Sequence, residues 1–516
     1  MDTKRKGENE KMKEFIKTHK KTLVFCCVIL ALVIASVLLF GWIGLWYDAI
    51  IAAIAGILLT DLKKHSFIKI LTIIMLLIML VSNFLPGRYE AIERIGVADL
   101  LLDYLSIVLQ NFSYVVLFVL AIGGFYGVLN KTPSYKKLLD NIVSKAKPIG
   151  KKFIFITMIV FGVVASLTGM TTPLFIFVPF VVAIILLLGY DKLVAFTATF
   201  GSIIVGYIGG VFVNFTNPNT GGIVTYETYI GLDSQFANTF PKLLLLFAGL
   251  GLLIYFVDKH IKSVEEKKVK YDLSDNEELL IAEVKGNYKD IKTWPLIVIL
   301  SLTFIILVIG MVPWNSLFNI SVFSDFHQWL LGLHIKEFYI FPSIISSSLP
   351  ALGEWSASGN SLAIYVYSTM LLLFVTFIIA IINKTNINET MDNFIEGVKK
   401  ALPAAALITV AYTVLVCAYN NGFYEIIINN YGKFNFGISS LLAFLGCILN
   451  VDTTWIMVGV FSPIATLITD ESIYASVALL LQGIYGIFTF VGPTSLFLIL
   501  GLTYLDIPYT TWLKYI

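Results

Sequence analysis

Long apolar segments separated by short polar stretches dominate the chain from residue 22 onwards. A helix that crosses the hydrocarbon core of a bilayer needs about 20 apolar residues, and some of the segments reach that length while others stop short of it. The pattern therefore predicts an all-α polytopic membrane protein. The apolar segments lie at 22–42, 46–60, 67–86, 112–129, 153–168, 174–188, 193–213, 221–230, 241–257, 294–311, 360–382, 402–420, 436–450, 455–469, 473–490 and 496–504.

Two pairs of short apolar segments each enclose a polar tip. The first pair, 153–188, turns at Gly169–Pro173, and the second pair, 436–469, turns at Asn450–Thr454. Each arm has about 15 residues, which at about 1.5 Å per residue does not cover a core of about 30 Å. The spacing predicts that each pair is a re-entrant hairpin.

A different kind of interruption follows each predicted hairpin. The apolar segment 193–213 breaks at Asn214–Gly221, and the segment 473–490 breaks at Gly492–Ser495, with a proline in each break. Proline removes a helical hydrogen bond, and bare backbone at membrane depth is tolerated only where protein or a wet cavity covers it. Interrupted helices in matching positions of two halves indicate the binding site of a secondary transporter. The predicted fold therefore has two repeats, each with a re-entrant hairpin and a broken transmembrane helix.

The positive charges indicate how the chain is oriented. When the segments are threaded from a cytosolic N-terminus, 31 of the 36 Lys and Arg residues fall on the cytosolic side. Cytosolic loops are enriched in Lys and Arg, so the distribution predicts a cytosolic N-terminus in the cell (cytoplasmic) membrane. The first hairpin then enters from the cytosol and the second from outside, which makes the two repeats inverted. The five charges on the outer side are Arg88, Arg94, Lys242, Lys336 and Lys433.

The expected division of the chain follows from this threading. It comprises a cytosolic basic tail at 1–21, an extra N-terminal helical pair at 22–60, a first transport repeat at 61–257, a cytosolic linker at 258–292 and a second transport repeat at 293–516. No small-residue cleavage site follows the first apolar segment, so a membrane helix is expected there rather than a cleaved signal.

Three polar segments are expected at membrane interfaces. Residues 131–150 and 383–400 both follow a membrane helix, both begin at an Asn-Lys-Thr motif (130–132 and 383–385), and both contain Asp-Asn. They are predicted to be interfacial amphipathic helices, with ordinary cytosolic loops as the alternative. Residues 312–357 are predicted to be a long outer loop whose three tryptophans lie at the interface.

Composition narrows the class further. The chain has 516 residues, of which 58% are hydrophobic and 14% charged, and its mean hydropathy is +0.85, whereas soluble chains are nearer half apolar and a quarter charged. A net charge of +2 without a compact basic domain indicates no nucleic-acid partner. The four cysteines lie in apolar segments without CxxC or Cys/His spacing, so neither disulfides nor a metal site is expected.

Short motifs spread over 64–516 point to one family. They are Gly123–Gly124, Val128–Thr132, Leu167–Met170, Val178–Pro179, Leu188–Asp191, Asn217–Pro218, Gly492–Ser495 and Ile507–Tyr515. These motifs resemble those of the DcuC/YfcC family of anion and amino-acid carriers, in the ion transporter superfamily. The resemblance implies an elevator-type carrier that forms a homodimer and couples transport to Na⁺ or H⁺. Its implied substrates are C4-dicarboxylates or basic amino acids.

The predicted tips depart from that family's pattern. The family commonly has Gly-Met-Ala-Glu-Glu at the first tip, where this chain has Thr171, Thr172 and Pro173 after Gly-Met. At the second tip, Asp452 and its two threonines replace a Ser-rich sequence with a glycine. The scaffold therefore matches better than the site, and the substrate class stays open between a carboxylate and an amino acid.

The candidate substrate site lies between the two tips and the two breaks. Helix ends at mid-membrane present unpaired N–H and C=O groups that hold small charged solutes. The chain has only three arginines, at 5, 88 and 94, so an arginine clamp on a carboxylate is not available in the apolar segments. The alternative for any one hydroxyl is a bond to its own helix. The predicted substrate-binding residues are Thr171, Thr172, Asn217, Asn219, Thr220, Asp452, Thr453, Thr454, Thr494 and Ser495.

Asp452 is the acidic residue that this pattern places at a tip or break. A buried carboxylate is costly unless it is paired, protonated or coordinating. Asp452 is therefore predicted to bind the coupling ion, Na⁺ or H⁺, or to pair with a substrate ammonium; the alternative is a shallower tip with a hydrated carboxylate. No other cofactor is expected.

The predicted function is secondary active transport of a small organic solute by an ion-coupled or exchange mechanism. A polytopic membrane enzyme acting on a lipid-linked substrate is the alternative, but the outer loop 312–357 holds one strong base, Lys336, and the chain has no HExxH, P-loop or nucleophile-elbow motif. The chain is therefore expected not to be an enzyme. A channel or a structural protein would not need paired broken helices.

Overall fold

The computed structural model describes most of the chain. The described residues are 45–59, 66–84, 94–169, 171–216, 223–266, 290–344, 353, 355, 363–420, 433–449 and 453–516. The predicted basic tail, most of the predicted N-terminal helical pair and residues 267–289 of the predicted linker lie outside them.

Helices account for nearly all of the regular structure in the first half of the described chain. A π-helical turn, Asp99–Tyr104, precedes the helix that begins at Leu105, and a 3₁₀ segment, Thr172–Ile176, precedes the helix that begins at Val178. A π-helical segment, Thr197–Gly201, joins the helix that ends at Phe196 to the helix that begins at Ser202. The elements are α1 (Leu45–Leu59), α2 (Ser66–Phe84), α3 (Leu105–Leu129), α4 (Pro133–Ala146), α5 (Lys151–Thr168), α6 (Val178–Leu187), α7 (Lys192–Phe196), α8 (Ser202–Ile208), β1 (Asn214–Thr216), β2 (Ile223–Thr225), α9 (Tyr226–Ile230) and α10 (Thr239–Glu265).

The second half repeats this helical character. A π-helical segment, Met457–Phe461, joins the helix that ends at Ile456 to the helix that begins at Ser462. A 3₁₀ turn, Glu471–Ile473, precedes the helix that begins at Tyr474. The elements are α11 (Trp294–Met311), α12 (Trp314–Phe318), α13 (Val322–Gly332), β3 (His334–Ile335), β4 (Phe338–Tyr339), α14 (Ile340–Ile344), α15 (Ala363–Ile382), α16 (Ile387–Asn420), α17 (Phe436–Cys447), α18 (Thr453–Ile456), α19 (Ser462–Thr466), α20 (Tyr474–Val491), α21 (Leu496–Tyr504) and α22 (Tyr509–Tyr515).

Seven helices of the described chain are long and apolar enough to cross a membrane. Their exposed surfaces are apolar: Leu102, Phe240 and Ile381 are each more than 70% exposed. Such surfaces are unfavourable in water but compatible with lipid. The prediction of an all-α polytopic membrane protein is confirmed. The seven segments are Asp99–Leu129, Lys151–Thr168, Thr239–Glu265, Trp294–Met311, Ile364–Ile382, Ile387–Asn420 and Glu471–Tyr504.

Other apolar helices are shorter. In the two predicted hairpins, α6 has 10 residues, α17 has 12, and the helix Thr453–Thr466 is also shorter than a full span. At about 1.5 Å per residue these helices reach about half to two thirds of the thickness of the hydrocarbon core. α5 is the longer arm, with 18 residues.

Glycines bring α3 and α16 into backbone contact. A Cβ atom on Gly127 would lie 2.2 Å from the carbonyl oxygen of Asn393, and one on Gly397 would lie 2.1 Å from that of Gly123. No residue with a side chain fits at these crossings without moving the helices apart. Small residues at i and i+4 allow this close approach between membrane helices. The crossing joins a helix of the first half to a helix of the second.

The second hydrophobic core cluster also combines the two halves. It contains Tyr207, Phe215 and Tyr226 from the region of the first break, together with Phe461 and Tyr485 from the second half. The first break therefore packs directly against the second hairpin region and against α20.

The structure departs from the sequence prediction at 383–400. These residues were expected to form a separate interfacial helix, but 387 onwards belongs to α16, which continues without interruption through Pro403 to Asn420. Proline removes one helical hydrogen bond, and packing against a neighbouring helix can preserve the rest of the helix. The matching prediction for the first half is confirmed as far as the helix itself, because α4 is a separate helix with Pro133 at its first position.

Candidate functional site

The first break contains a short strand pair that the sequence pattern did not predict. α8 ends at Ile208, and the chain runs through a turn into β1, which pairs antiparallel with β2. In the pair, Asn214 lies opposite Thr225 and Phe215 opposite Val224. Strand pairing satisfies the backbone N–H and C=O groups that a broken helix leaves open.

Three hydroxyl groups join the first break to the second tip. The hydroxyl of Tyr207, in the last turn of α8, lies 2.8 Å from that of Tyr226 and 2.9 Å from Oγ1 of Thr453. Tyr226 opens α9 directly after the break, and Thr453 opens α18 directly after the second tip. The tyrosines are buried and Thr453 is half-buried. Because each hydroxyl can both donate and accept, the chain of three can adapt to a polar solute.

Gln482 on α20 closes the end of α8. Its Nε2 donates to the carbonyl oxygens of Tyr207 at 3.0 Å and Gly210 at 2.9 Å. Gly210 lies just past the end of α8, and its carbonyl accepts from Gln482. The Tyr207 carbonyl also accepts a hydrogen bond from the backbone N–H of Gly210 at 3.0 Å. The ring of Tyr485, one turn further along α20, lies 5.4 Å from the ring of Tyr207. Both side chains therefore contact the residues that lead into the first break.

Each hairpin is also bonded to the break in its own half. In the first half, Oγ of Ser166 donates to the carbonyl of Gly209 at 2.7 Å. In the second half, Oγ1 of Thr494 donates to the carbonyl of Ile448 at 2.9 Å. The two bonds are counterparts: a hydroxyl in one element satisfies a helix-end carbonyl in the other.

The carbonyl groups at the end of α20 are satisfied in the same way. Oγ of Ser495 donates to Thr489 at 2.9 Å, Nε1 of Trp512 donates to Phe490 at 2.7 Å, and the hydroxyl of Tyr509 donates to the carbonyl of the last α20 residue. Two of these donors come from the C-terminal motif, so α22 completes the second break.

The two halves also meet at the other tip. Phe175, in the 3₁₀ segment after the first tip, lies with its ring 5.4 Å from that of Phe497, which follows the second break. The contact between Thr453 and Tyr207 has the reverse arrangement. Each tip region therefore contacts the broken helix of the other half.

The structure gives the predicted site residues different surroundings. Thr453 belongs to the hydroxyl chain, and Thr454 follows it, also half-buried. Thr494 and Ser495 are fully buried and donate to backbone carbonyls. Thr171 is half-buried at the first tip, and Thr172 opens the 3₁₀ segment. The remaining predicted residues, Asn217, Asn219, Thr220 and Asp452, lie outside the described residues.

A buried ion pair beside the first break was missed by the sequence analysis. Nζ of Lys242 lies 2.6 Å from Oε1 of Glu227, and the two side chains are 1% and 0% exposed. Glu227 lies in a segment that was interpreted simply as apolar, and Lys242 was counted among the charges outside the membrane. The presence of two opposite charges close to the ends of neighbouring apolar segments was the available signal. Elsewhere in the described chain, no group of three or more His, Cys, Asp or Glu residues is arranged to hold a metal ion.

Comparison with known proteins identifies the family. The model of the C4-dicarboxylate anaerobic carrier family, DcuC, matches residues 103–516. The chain belongs to this family. The resemblance predicted from the sequence motifs is confirmed, and the protein is a multi-pass membrane protein of a carrier family. The DcuC match covers both breaks and both predicted hairpins.

The chain is also similar, over part of its length, to one bacterial protein. Over 200 residues the chain is 25% identical to an uncharacterized protein of Haemophilus influenzae. The aligned part is 38% of this chain and 37% of that relative, so the similarity covers little more than a third of either protein.

Proposed function

We propose that the protein is a secondary carrier of a small carboxylate, with C4-dicarboxylates as the first candidate class. The hydroxyl chain of Tyr207, Tyr226 and Thr453 is the observation that carries the proposal. It joins a broken helix of one half to the tip of the other half, where membrane carriers bind their solutes. The name of the family supplies the candidate substrate class.

The binding chemistry relies on hydroxyls and helix ends. The helix Thr453–Thr466 begins at the second tip, and its N-terminus carries partial positive charge. A carboxylate bound there accepts hydrogen bonds from backbone N–H groups and from the hydroxyls of Thr453 and Thr454. Thr171 and Thr172 at the first tip, with Asn217, Asn219 and Thr220 at the first break, complete the proposed pocket. Thr494 and Ser495 support it by holding the second break in place.

The transport cycle is proposed to be of the elevator type in two inverted repeats, 61–257 and 293–516. The short helices α6, α17 and Thr453–Thr466 support the interpretation of 153–188 and 436–469 as re-entrant hairpins that enter from opposite sides. In this proposal the protein lies in the cytoplasmic membrane, and its N-terminus lies in the cytosol. Asp452 is the proposed site of the coupling Na⁺ or H⁺, and a homodimer is the proposed assembly.

Flux into proteoliposomes tests the function. Purified protein should exchange external labelled succinate, a C4-dicarboxylate, for internal unlabelled succinate, and an imposed proton or sodium gradient should drive accumulation. Excess basic amino acid in the same assay tests the other substrate class. Exchange of amino acid without exchange of succinate would contradict the proposed substrate, and absence of any solute exchange would contradict the carrier function.

Replacing Thr453 with Val tests the site. The change removes a hydroxyl that lies 2.9 Å from Tyr207 while preserving side-chain shape, so succinate exchange is expected to fall to the level of empty liposomes. Thr466→Val is the matched control, because Thr466 lies on the same helix, is exposed and donates to the Pro463 carbonyl. Equal exchange by the two variants, at equal amounts of folded protein, would remove Thr453 from the site.

A further inference from the structure

The buried pair formed by Glu227 and Lys242 is not used by the hydroxyl chain. Oε1 of Glu227 lies 2.6 Å from Lys242 Nζ in an ion pair and accepts a hydrogen bond from Asn238 Nδ2 at 3.1 Å. Among the described residues, the buried Lys242 ammonium has no partner in well-directed hydrogen-bond geometry. The other carboxylate oxygen, Oε2, is buried and has no hydrogen-bond partner among the described residues. A buried ion pair is well compensated only when further hydrogen bonds satisfy its remaining lone pairs and protons. This pair is therefore only partly compensated.

The location of Lys242 adds to that imbalance. Lys242 is in the first turn of α10, where the helix end carries partial positive charge. A cation at this end gains nothing from the helix, whereas the Glu227 carboxylate beside it does. Lys242 is consequently held as a buried cation mainly by Glu227.

The elements packed around the pair bring no other charge close to it. Asn238 donates to Glu227 and also, at 2.8 Å, to the carbonyl of Ala475 in the first turn of α20. Asp233, Asp470 and Glu471, the acidic residues of the adjacent loops, are exposed to solvent. Among the described residues, the balance of charge in this cluster is set by Glu227 and Lys242.

The pair is also joined to the proposed solute site. Glu227 directly follows Tyr226, whose hydroxyl is part of the chain that reaches Thr453. Asn238 connects the pair to α20, which carries Gln482. The pair is therefore linked by direct contacts to elements on both sides of the first break.

We propose that Glu227 binds a proton during transport and that Lys242, released by this protonation, binds a carboxylate of the solute. This inference rests on the proposed carrier function and adds a second acidic site to Asp452. In the resting pair the charges cancel. A hydronium ion gives up a proton by breaking one of its O–H bonds, and leaves as water, while an O–H bond forms at Oε2. The cluster then carries one positive charge, and the incoming carboxylate restores neutrality. One proton thus accompanies each carboxylate bound at Lys242, and no other covalent bond forms or breaks.

The first measurement detects protonation without transport. Infrared difference spectra of the purified protein, taken between alkaline and acid pH, should contain a protonated-carboxyl band that Glu227→Gln removes. Asp258→Asn is the matched control, because Asp258 pairs with Lys151 at the same 2.6 Å distance but is partly exposed. Retention of every carboxyl band in the Glu227→Gln variant would overturn the proposal.

The second measurement separates proton coupling from solute binding. With succinate as the probe, Glu227→Gln should keep exchange, since it mimics the protonated carboxyl, and should lose accumulation driven by a proton gradient. Lys242→Met should lose both. The double variant Glu227→Gln/Lys242→Met leaves no unpaired charge and should fold like the wild type, yet still lose exchange. Proton-driven accumulation by Glu227→Gln at the wild-type level would overturn the proposal, as would succinate exchange by the double variant.

The two measurements also distinguish this proposal from the proposed function. If the wild type exchanges no succinate while the infrared band of Glu227 is present, the substrate assignment fails and the proton site is supported. If succinate is exchanged and the band is absent, the proton site fails and the carrier function is supported.

Discussion

Individual polar side chains around the two breaks mainly donate hydrogen bonds to backbone carbonyl groups. Ser166, Gln482 and Thr494 each donate to a carbonyl just past the end of a helix. In lipid, every such group needs a partner within the protein. The cost of breaking a helix at membrane depth is therefore offset by a small number of side chains from other elements.

Replacing Gln482 with Leu tests this role. The change removes the side-chain donor of the Gly210 carbonyl, whereas the Tyr207 carbonyl keeps the backbone N–H of Gly210 as a donor. An unsatisfied buried group costs about 1–3 kcal/mol. Thermal unfolding of the purified protein in detergent should shift to a clearly lower temperature. The control is Gln110→Leu, since Gln110 is exposed on α3 and donates to Ser106; equal shifts for both variants would contradict the assignment.

At this scale the sequence pattern indicated the regions in which the hydroxyl chain lies, but only one of its three residues. The tip residue Thr453 was predicted and lies in the hydroxyl chain, whereas Tyr207 and Tyr226 were not distinguished from the apolar segments around them. A tyrosine reads as apolar in a hydropathy pattern, although its hydroxyl needs a polar partner when buried. Glu227 and Lys242 were missed for a related reason, because their pairing depends on contacts between separate elements.

At the scale of helices, glycine decides where elements meet most closely. α3 and α16 cross where Gly123, Gly127 and Gly397 lie opposite one another. Without a hydrophobic effect between helices in lipid, close packing of this kind is a main source of association.

Replacing Gly397 with Ala tests the crossing. The new Cβ atom would meet the carbonyl oxygen of Gly123 at 2.1 Å, so the helices must separate. Overpacking typically costs about 1–3 kcal/mol, and thermal unfolding in detergent should report it. Gly251→Ala is the control, because a Cβ at Gly251 on α10 meets nothing within 4 Å; it should leave the protein as stable or slightly more stable. A Gly397→Ala protein as stable as this control would contradict the close crossing.

The apolar segments predicted that helices exist and roughly where they lie. They predicted the ends of the helices and the irregular elements less well. The segments 294–311 and 473–490 correspond closely to α11 and α20. The segments 383–400 and 402–420 were predicted as separate elements. In the structure, α16 begins at Ile387 and continues through both, past Pro403. The strand pair at the first break has only three residues per strand, which is too short for a recognisable alternation.

At the scale of the whole molecule, the distribution of charge predicts an orientation in the membrane. The described helices α4 and α13 fall on opposite sides of the membrane in the threading that places 31 of 36 Lys and Arg residues in the cytosol. Both helices are amphipathic segments outside the seven long apolar helices of the described chain.

Cysteine labelling tests this orientation. In a variant whose native cysteines at 26, 27, 417 and 447 are replaced, Gln328→Cys on α13 should react with a membrane-impermeant maleimide in intact cells. Ser144→Cys on α4 should react only after permeabilisation, since positively charged loops stay in the cytosol. Both positions are exposed in the structure. Labelling of Ser144→Cys alone in intact cells would reverse the orientation.

The backbone crossing between α3 and α16 has a mechanical consequence. Where side chains separate two helices, changes of rotamer allow the helices to slide past each other. Where backbone packs directly against backbone, no side chain can change rotamer to allow this sliding. We therefore expect α3 and α16 to move together as one rigid unit that is shared by both halves of the carrier. Any shear between moving and stationary parts has to run along surfaces that side chains cover, such as the tyrosine and threonine contacts at the first break.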